Sequence, residues 1–476
     1  MLLSKLVNLK FEKDVEINGV KRDARAVEKG DAFFCFAQDL MQAYLRCEKA
    51  KQSGAAVCFC QQNIANCVQV KDVRSLFAIA CANFYDRACD KLKIVGVSGT
   101  NGKTTTTHII AQILKRNGYN VGLIGTNGVY FNGKRFESPL TTPDADFLHR
   151  TFKQMYESGV QYVVMEVSAH AIDQKRIDGI MFEAGVLTNI TQDHLDYFRT
   201  MENYEKTKFE FFTKEHIKKA FVCVDDDRAR KLLSVCDVPC VTYGLKNPCD
   251  SFALDVLCEI SGSFFVANIC DSVLEVKTNL VGKYNIYNCL AALSVCQSLG
   301  LDEEKLTRGL NFIHPVEGRF NVFNVSGKYV VVDYAHTPDG LENVVETAKE
   351  LTDKKVFLIF GCGGNRDKTK RAIMGHISEK ADFVCLTNDN PRNEKPEDII
   401  VDIEKGMTRP HMVQLNRKIA IENVLDMMAC GDVLIVAGKG AEKYQEIDGQ
   451  KLPYSDFDVI SNYCKNLTEE KIKSAN

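Results

Sequence analysis

The sequence predicts an α/β protein in three units, built on parallel sheets covered by helices. Three observations carry this. Short apolar runs of strand length recur along the chain, separated by stretches of helix-forming composition. One of these runs leads through a glycine-rich turn straight into an amphipathic helix. The alternation breaks and a second one starts near Tyr329, and at roughly 150 residues per domain a 476-residue chain has room for three.

Residues 1–88 hold short apolar pieces, Asp31-Ala-Phe-Phe-Cys-Phe-Ala37 and Gly54-Ala-Ala-Val-Cys-Phe59. The second reads as a short buried strand, and no spacing in this unit points to chemistry. In the unit 89–314, Lys93-Ile-Val-Gly-Val97 is a strand that meets the turn Ser98-Gly-Thr-Asn-Gly102. The helix that follows has Ile109, Ile110, Ile113 and Leu114 on one side and Gly118 as its stop. Val121–Ile124, Tyr162–Met165, Val186–Leu187 and Ala220–Val224 continue the strands of a mostly parallel sheet. The chain then passes a joint near His314–Gly318 into a unit spanning 315–476. Its strands are Tyr329–Val332, Val356–Phe360, Phe383–Leu386 and Val433–Ala437, with helices near 339–352 and 369–380.

Hydrophobic residues make up 45% and charged residues 26% of the chain, a balance that supports a folded core and argues against disorder. A net charge of -3 argues against a non-specific nucleic-acid binder. No apolar run approaches the length of a membrane span. The N-terminus is charged within its first ten residues and carries no apolar signal region, so a cytoplasmic protein is expected. The 19 cysteines are odd in number and form no CxxC, the closest spacings being Cys58/Cys60 and Cys236/Cys240. Reduced thiols packed as small hydrophobes fit this better than a disulfide framework.

The sharpest local signal is Gly99-Thr-Asn-Gly-Lys-Thr-Thr105, set between a strand and a helix. Glycines let backbone N–H groups close around phosphate oxygens, and the helix N-terminus adds a favourable dipole. Lys103 supplies a cation, and the Thr104 hydroxyl can reach a magnesium ion. The strict Walker spacing would need glycine at Val97; the alternative is a chance glycine turn before a helix. Such a loop establishes only that a nucleotide triphosphate binds. Glu166 ends the strand within Met165-Glu-Val-Ser-Ala-His170, and His194 lies in Thr188-Asn-Ile-Thr-Gln-Asp-His-Leu-Asp196 after another strand. Strand ends are where ligands gather in open α/β sheets, so both can face the phosphates. A carboxylate suits magnesium; an imidazole is a softer ligand, and taken alone His194 reads as a structural histidine. Lys208, in Tyr204-Glu-Lys-Thr-Lys-Phe-Glu-Phe-Phe212, reads by spacing as a solvated helix lysine.

Taken together, these motifs resemble those of the Mur ligases, which extend the peptide of the bacterial cell-wall precursor. The likeness runs over most of residues 89–460. Besides the phosphate loop it rests on Leu140-Thr-Thr-Pro-Asp144, Met165-Glu-Val-Ser168, Thr188 to Asp196, Gly282-Lys-Tyr-Asn-Ile-Tyr-Asn288 and Asp333-Tyr-Ala-His-Thr-Pro338. Gly361-Cys-Gly-Gly-Asn-Arg-Asp367 and Asp389-Asn-Pro-Arg392 are most similar to the tripeptide-synthetase branch, MurE.

The resemblance implies an N-terminal UDP-binding domain, a central P-loop ATPase domain and a Rossmann-like C-terminal domain that brings the amino acid. It implies that Gly99, Thr100, Asn101, Gly102, Lys103, Thr104 and Thr105 wrap the ATP phosphates, with Asn288, Arg319 and Asp333 on the nucleotide side. Thr104, Glu166 and His194 would hold Mg2+, joined by Lys208 as a carbamate formed with CO2, which turns an ammonium into an anionic ligand. Thr141, Thr142, Ser168, Gln174 and Arg176 match positions for the UDP-muramoyl-dipeptide. Arg366, Asp389, Asn390, Pro391, Arg392, Gly438 and Glu442 match the pocket for the incoming amino acid, with Arg392 suited to the second carboxylate of meso-diaminopimelate. Some positions depart from the family. Asp23-Ala24-Arg25 lacks the usual serine, Gln38-Asp-Leu-Met-Gln42 lacks the usual loop pattern, Glu317 replaces proline and Ala441 replaces histidine.

The expected reaction is ATP-dependent amide ligation through an acyl phosphate, by a monomer acting on small molecules, with no nucleic acid or membrane partner. L-lysine in place of diaminopimelate, another Mur ligase or a folylpolyglutamate synthetase, and a P-loop protein without ligase activity are the alternatives.

Overall fold

Strands form where the apolar runs stand. In a computed structural model, which describes residues 1–311 and 313–475, Lys93–Ser98, Val121–Gly125, Tyr162–Glu166, Ala184–Leu187 and Ala220–Cys223 are strands, buried throughout except at Lys93. Their unbroken apolar character follows from cover on both faces of a parallel sheet. Val97 pairs with Glu166 on one side and with Val186 on the other, both in parallel. The carboxyl ends of three strands are thereby brought level, and the loops that leave them share one crevice. Helix Lys103–Arg116 turns Ile109, Ile110, Ile113 and Leu114 into the core and ends at Gly118, whose φ of +85° is the left-handed stop that the sequence predicted.

The central sheet has eleven strands, parallel through its core as expected and antiparallel at both edges. Ser251–Glu259, Gly262–Ile269 and Ser272–Thr278 add an antiparallel meander at one edge; Gly128–Phe131 and Lys134–Phe136 add a second antiparallel edge. Along Ser272–Thr278 buried and outward positions alternate, the mark of an antiparallel sheet covered on one face. Helix Lys283–Ser298 packs between this meander and helix Lys103–Arg116.

The N-terminal sheet has four parallel strands, Val20–Lys21, Ala32–Phe34, Val57–Cys60 and Val68–Gln69. Helices Leu40–Gln52 and Val73–Phe84 belong to the same unit. The C-terminal sheet has six strands: Asn321–Val325, Lys328–Asp333, Val433–Ala437, Val356–Phe360, Phe383–Leu386 and Met412–Val413, in that spatial order. All its pairings but the first are parallel. Helices Pro338–Leu351 and Thr369–Ser378 fall where they were expected. A hairpin, Tyr444–Ile447 with Gln450–Pro453, follows the last core strand. Among the described residues no helix is long and apolar enough to cross a membrane.

Candidate active site

The phosphate loop is held by two close approaches that only glycine permits. At Gly99 (φ +140°) an added Cβ would stand 1.9 Å from the Thr188 hydroxyl, and at Gly102 (φ +86°) 2.6 Å from the Asn288 amide oxygen. Asn288 is itself fixed, accepting from Thr106 at 3.1 Å and donating to Asn285 at 3.1 Å. Within this frame Lys103 Nζ donates to the carbonyls of Gly99 (3.0 Å) and Thr100 (2.7 Å), and Lys208 Nζ also donates to Gly99 O (2.8 Å). Lys208 is fully buried over the Tyr204 ring, so the solvated-lysine reading fails. Its helix, Met201–Phe209, points it at the loop rather than at water.

Burial holds the Lys208 pKa well below the lysine range, the Lys103 charge lowers it further, and Asp193 only partly opposes this. Burial also lowers Lys103, against the attraction of Glu166 and Asp193. Two amines, one buried and one half-buried, therefore stand close together, and among the described residues neither has a carboxylate within ion-pair distance.

Glu166, at the end of its strand, accepts from the Thr104 hydroxyl (3.0 Å), the Thr126 backbone N–H (2.8 Å) and the Thr126 hydroxyl (3.1 Å). Arg319 donates to Thr104 Oγ at 3.1 Å while its guanidinium lies 4.4 Å over the Tyr334 ring. A continuous line thus runs from the C-terminal unit through Thr104 to Glu166. Asp333 is buried and spends its carboxylate on the backbone N–H groups of Phe320 and Ala335, both at 2.7 Å, which shapes the turn carrying Arg319.

His194 stands at a φ of +56° with 39% of its side chain open to the cleft. Its enclosure by protein lowers the imidazole pKa despite Asp193 nearby, and His170, Lys103 and His336 lower it further, leaving a neutral ring. Asp193 was not singled out in the sequence, yet it is the buried charge at the centre of the crevice. It faces Lys370 at 3.5 Å, His194 at 3.4 Å and His336 at 3.8 Å. Burial would raise its carboxyl, but these neighbours hold it well below the usual range. Lys370 and His336 come from the C-terminal unit, as does Asp339, which accepts from Asn101 at 2.7 Å. Their signal in the sequence was adjacency alone: Asp193 precedes His194, and His336 and Asp339 lie in or beside the motif at 333–338.

These groups line a cavity of about 820 Å³, which reaches from Gly99–Thr105 past Glu166, Lys208 and Asn288 to Arg319, Asp333 and His336. Thr141 and Ser168 also line it. Thr141 lies 3.2 Å from the Thr126 hydroxyl. Thr142 is buried, donating to Glu166 O (2.8 Å) and accepting from Ser168 N (3.0 Å). Arg176 donates to Thr142 O (2.8 Å) and Gln174 (2.7 Å) and pairs with Asp144 at 3.1 Å. Arg22, which the sequence reading passed over, reaches the same Asp144 from the N-terminal unit at 2.5 Å.

The residues expected around the amino acid form a closed polar network. Asn390 donates to Glu442 (2.8 Å) and accepts from Lys439 Nζ (2.9 Å) and the Glu446 N–H (2.9 Å). Arg392, at a φ of +51°, pairs through Nε with Glu446 (3.1 Å) and donates from Nη1 to Gly364 O (2.7 Å). The Asp389 carboxylate caps the Asn390 N–H at 2.7 Å, and a Cβ on Gly438 would meet it at 2.4 Å. Gly364 lies so close to Pro391 O that a Cβ would stand 1.9 Å away. Arg366 is the outlier: it is exposed, and among the described residues its guanidinium donates to Asn365 O at 3.4 Å. Glu446, Lys439 and the buried Arg371, which ties Glu394 to Asp402, were missed in the sequence.

The description "Mur ligase middle domain" matches residues 97–296, and "Mur ligase, glutamate ligase domain" matches residues 318–440. A UDP-N-acetylmuramoyl-L-alanyl-D-glutamate–2,6-diaminopimelate ligase of Clostridium acetobutylicum is 39% identical over 466 residues, covering 95% of this chain and 96% of its own. The ligase of the same name from Aquifex aeolicus is 38% identical over 450 residues, 93% of each chain. A solved structure of a ligase of that name superposes with a TM-score of 0.73 at 28% identity, over 98% of this chain and 99% of the other. The fold is shared more widely. Thermotoga maritima MurF in complex with ADP gives a TM-score of 0.61 at 19% identity, over 95% of this chain and 98% of its own.

Proposed function

The chain belongs to the Mur ligase family, and from that premise we propose that it joins meso-diaminopimelate to the D-glutamate of UDP-N-acetylmuramoyl-L-alanyl-D-glutamate at the expense of ATP. It is an ATP-dependent ligase of the peptide-synthase class, and its work is one step of peptidoglycan precursor synthesis. The observation that carries this reading is the convergence of the phosphate loop, Glu166, Lys208 and the Arg319 turn on one cavity.

In the first step the D-glutamate side-chain carboxylate attacks the γ-phosphorus of ATP, and ADP leaves. The amine of the incoming amino acid then attacks the acyl carbon, and phosphate departs. Lys103 and the loop N–H groups are assigned to the phosphates, and Arg319 to the charge that develops as they transfer. Asn288 and Asp333 hold the loop and the Arg319 turn in place. Thr141, Thr142, Ser168, Gln174 and Arg176 are assigned to the muramoyl-dipeptide, with Thr141 and Ser168 on the cavity lining. Arg392, Asn390 and Glu442 are assigned to the amino acid.

The chemistry of the donors fits magnesium. Thr104 offers a hydroxyl and Glu166 a carboxylate, both hard oxygen donors, while the neutral His194 is a softer third. Bound there, the metal would offset the repulsion between carboxylate and phosphate. Lys208 suits carbamylation, because burial lowers the pKa of its amine and the neutral form of an amine is the one that adds CO2. The product would be an anion beside Lys103, which has no carboxylate in ion-pair reach among the described residues. The divisions 1–88, 89–314 and 315–476 are assigned to the UDP-sugar, to ATP and to the amino acid. A monomer is assigned to this work, and 19 free thiols suit a reducing cytoplasm.

The test is phosphate release by the purified protein with ATP, Mg2+ and the UDP-muramoyl-dipeptide, comparing meso-diaminopimelate with L-lysine. Strong preference for diaminopimelate is expected. Equal or better use of L-lysine would overturn the substrate, and ATP turnover indifferent to the muramoyl peptide would overturn the ligase reading.

A further inference from the structure

The N-terminal unit gathers chemistry that ligation does not use. Cys47 on helix Leu40–Gln52, Cys60 at the end of strand Val57–Cys60 and Cys67 just before strand Val68–Gln69 converge, their sulfurs all within 4.8 Å of one another. Cys47 and Cys60 are buried, and Cys67 is half-buried at the rim. Cys35 and Cys58 belong to the same small core. Cys58 Sγ lies 3.8 Å from Cys47 O, and Cys35 Sγ 3.8 Å from Ala43 O. Five of the chain's 19 thiols thus fall in one patch, although 47, 60 and 67 follow no motif in the sequence. Packing alone would explain cysteines as small hydrophobes. It does not explain why three sulfurs from a helix, a strand and a turn point at one centre. The Lys51 ammonium stands at the rim, donating to Ala65 O and Glu48 at 2.9 Å each.

We propose that Cys47, Cys60 and Cys67 form a thiolate site for a soft divalent cation of the Zn2+ class. Three thiols give up three protons to solvent and the metal gains three sulfur ligands, with no change in oxidation state. The resulting site carries one net negative charge, which Lys51 faces. Zinc–sulfur bonds of ~2.3 Å place the sulfurs of a tetrahedral site ~3.8 Å apart, so no pair, all being within 4.8 Å, need close by more than about 1 Å. The half-buried Cys67 gives an entry path, and the fourth position is left to water or a backbone carbonyl such as that of Gln62, 3.1 Å from Cys60 Sγ. Soft sulfur ligands select this cation against the Mg2+ of the ligase cleft, whose donors are oxygens. The bound ion would fasten helix Leu40–Gln52 to the connection at 61–67.

The test uses the full chain, stripped with a chelator, kept reduced with a phosphine and saturated with Mg2+. Zn2+ is titrated against a chromophoric chelator, and Co2+ serves as the spectroscopic reporter. One equivalent of Zn2+ is expected, with a thiolate-to-cobalt charge-transfer band. Cys67→Ser, at the rim, should lose the band and weaken Zn2+ binding by at least ~100-fold, and Cys47→Ser and Cys60→Ser likewise. Cys430→Ser, at an exposed thiol, should change neither. Because Cys47 and Cys60 are buried and their variants can misfold, the unaltered protein supplies a second readout. Zn2+ should shield Cys47, Cys60 and Cys67 from alkylation, read by peptide mass spectrometry. Absence of Zn2+ uptake, a band that survives Cys67→Ser, or alkylation of the three thiols unchanged by Zn2+ would each overturn the site.

Discussion

On the phosphate side of the cleft, the hydrogen bonds of Lys103 and Lys208 go, among the described residues, to backbone carbonyls alone. On the amino-acid side, Arg392 meets Glu446, Lys439 meets Glu442, and Arg371 meets Glu394 and Asp402. In the first region the two amines have no carboxylate partner; the second is balanced within itself. Phosphate and metal chemistry varies little between substrates, so a fixed loop with unspent positive charge serves it. Choice of an amino acid demands that substrate groups replace internal partners. Selectivity then comes from which ligand can make that exchange without leaving a buried charge unpaired.

The largest expected effects lie on the phosphate side. Lys103→Ala should lower kcat by ~10²–10³-fold with every amino acid, in the range of removing one charge-stabilising donor. The measurement is steady-state ligation with diaminopimelate and with analogues, and a changed amino-acid preference would show that the two sides are not separate. Lys208→Arg should fall comparably while thermal unfolding stays cooperative, because arginine cannot become an anionic ligand. Near-normal turnover by this variant would remove the carbamate from the scheme.

The amino-acid side should yield smaller and more selective losses. Arg392→Ala should reduce diaminopimelate ligation about 10²-fold and leave ATP binding unchanged, since removing one partner of a charge-assisted pair costs ~2–3 kcal/mol. Glu446→Gln tests the exchange itself. If Glu446 competes with the substrate carboxylate for Arg392, the KM for diaminopimelate should drop a few-fold at constant kcat. A rise in KM would mean that Glu446 orients the guanidinium instead of competing for it.

Legibility in the sequence divided along similar lines. The phosphate loop could be read because seven consecutive residues determine both its shape and its chemistry. Glu166 could be read because it ends a strand. Lys208 could not be read from spacing: its helix offers a polar pattern, and only the fold brings Gly99 O against it. Asp193, Lys370 and His336 meet across the cleft from different units, a pairing that no local pattern encodes. Glu446 sits on a four-residue strand, too short to stand out, and so the internal partner of Arg392 went unseen. The meander at 251–278 did carry a period of two, but its alternation of half-buried positions is weaker than the apolar runs of the parallel core.

The smallest expected effect is on local stability, and acid should separate the two sides. The folded-state pKa of Lys208 is lowered from the model-compound value of 10.5, by burial first and by Lys103 second. Between the lowered and ordinary values the unfolded chain binds more protons, so local stability rises with pH and is eroded as pH falls toward neutral. Glu394 behaves in the opposite window. Its hydrogen bond from Arg371 outweighs burial and holds its pKa at about 2, against an ordinary 4.5. Its contribution is therefore complete above pH 4.5 and is lost as pH falls from there toward 2. Amide hydrogen exchange in CO2-free buffer, corrected for intrinsic rates, can follow peptides around 99–105 and 204–209 against those around 363–371. Acidification from alkaline to neutral pH should loosen the first set a few-fold and leave the second unchanged. Below pH 4.5 the second set should loosen too. Added bicarbonate should flatten the first trend, because a carbamate on Lys208 removes the amine that titrates. A phosphate side indifferent to pH in CO2-free buffer would mean that Lys208 keeps its proton there, and the neutral amine on which carbamylation depends would be lost.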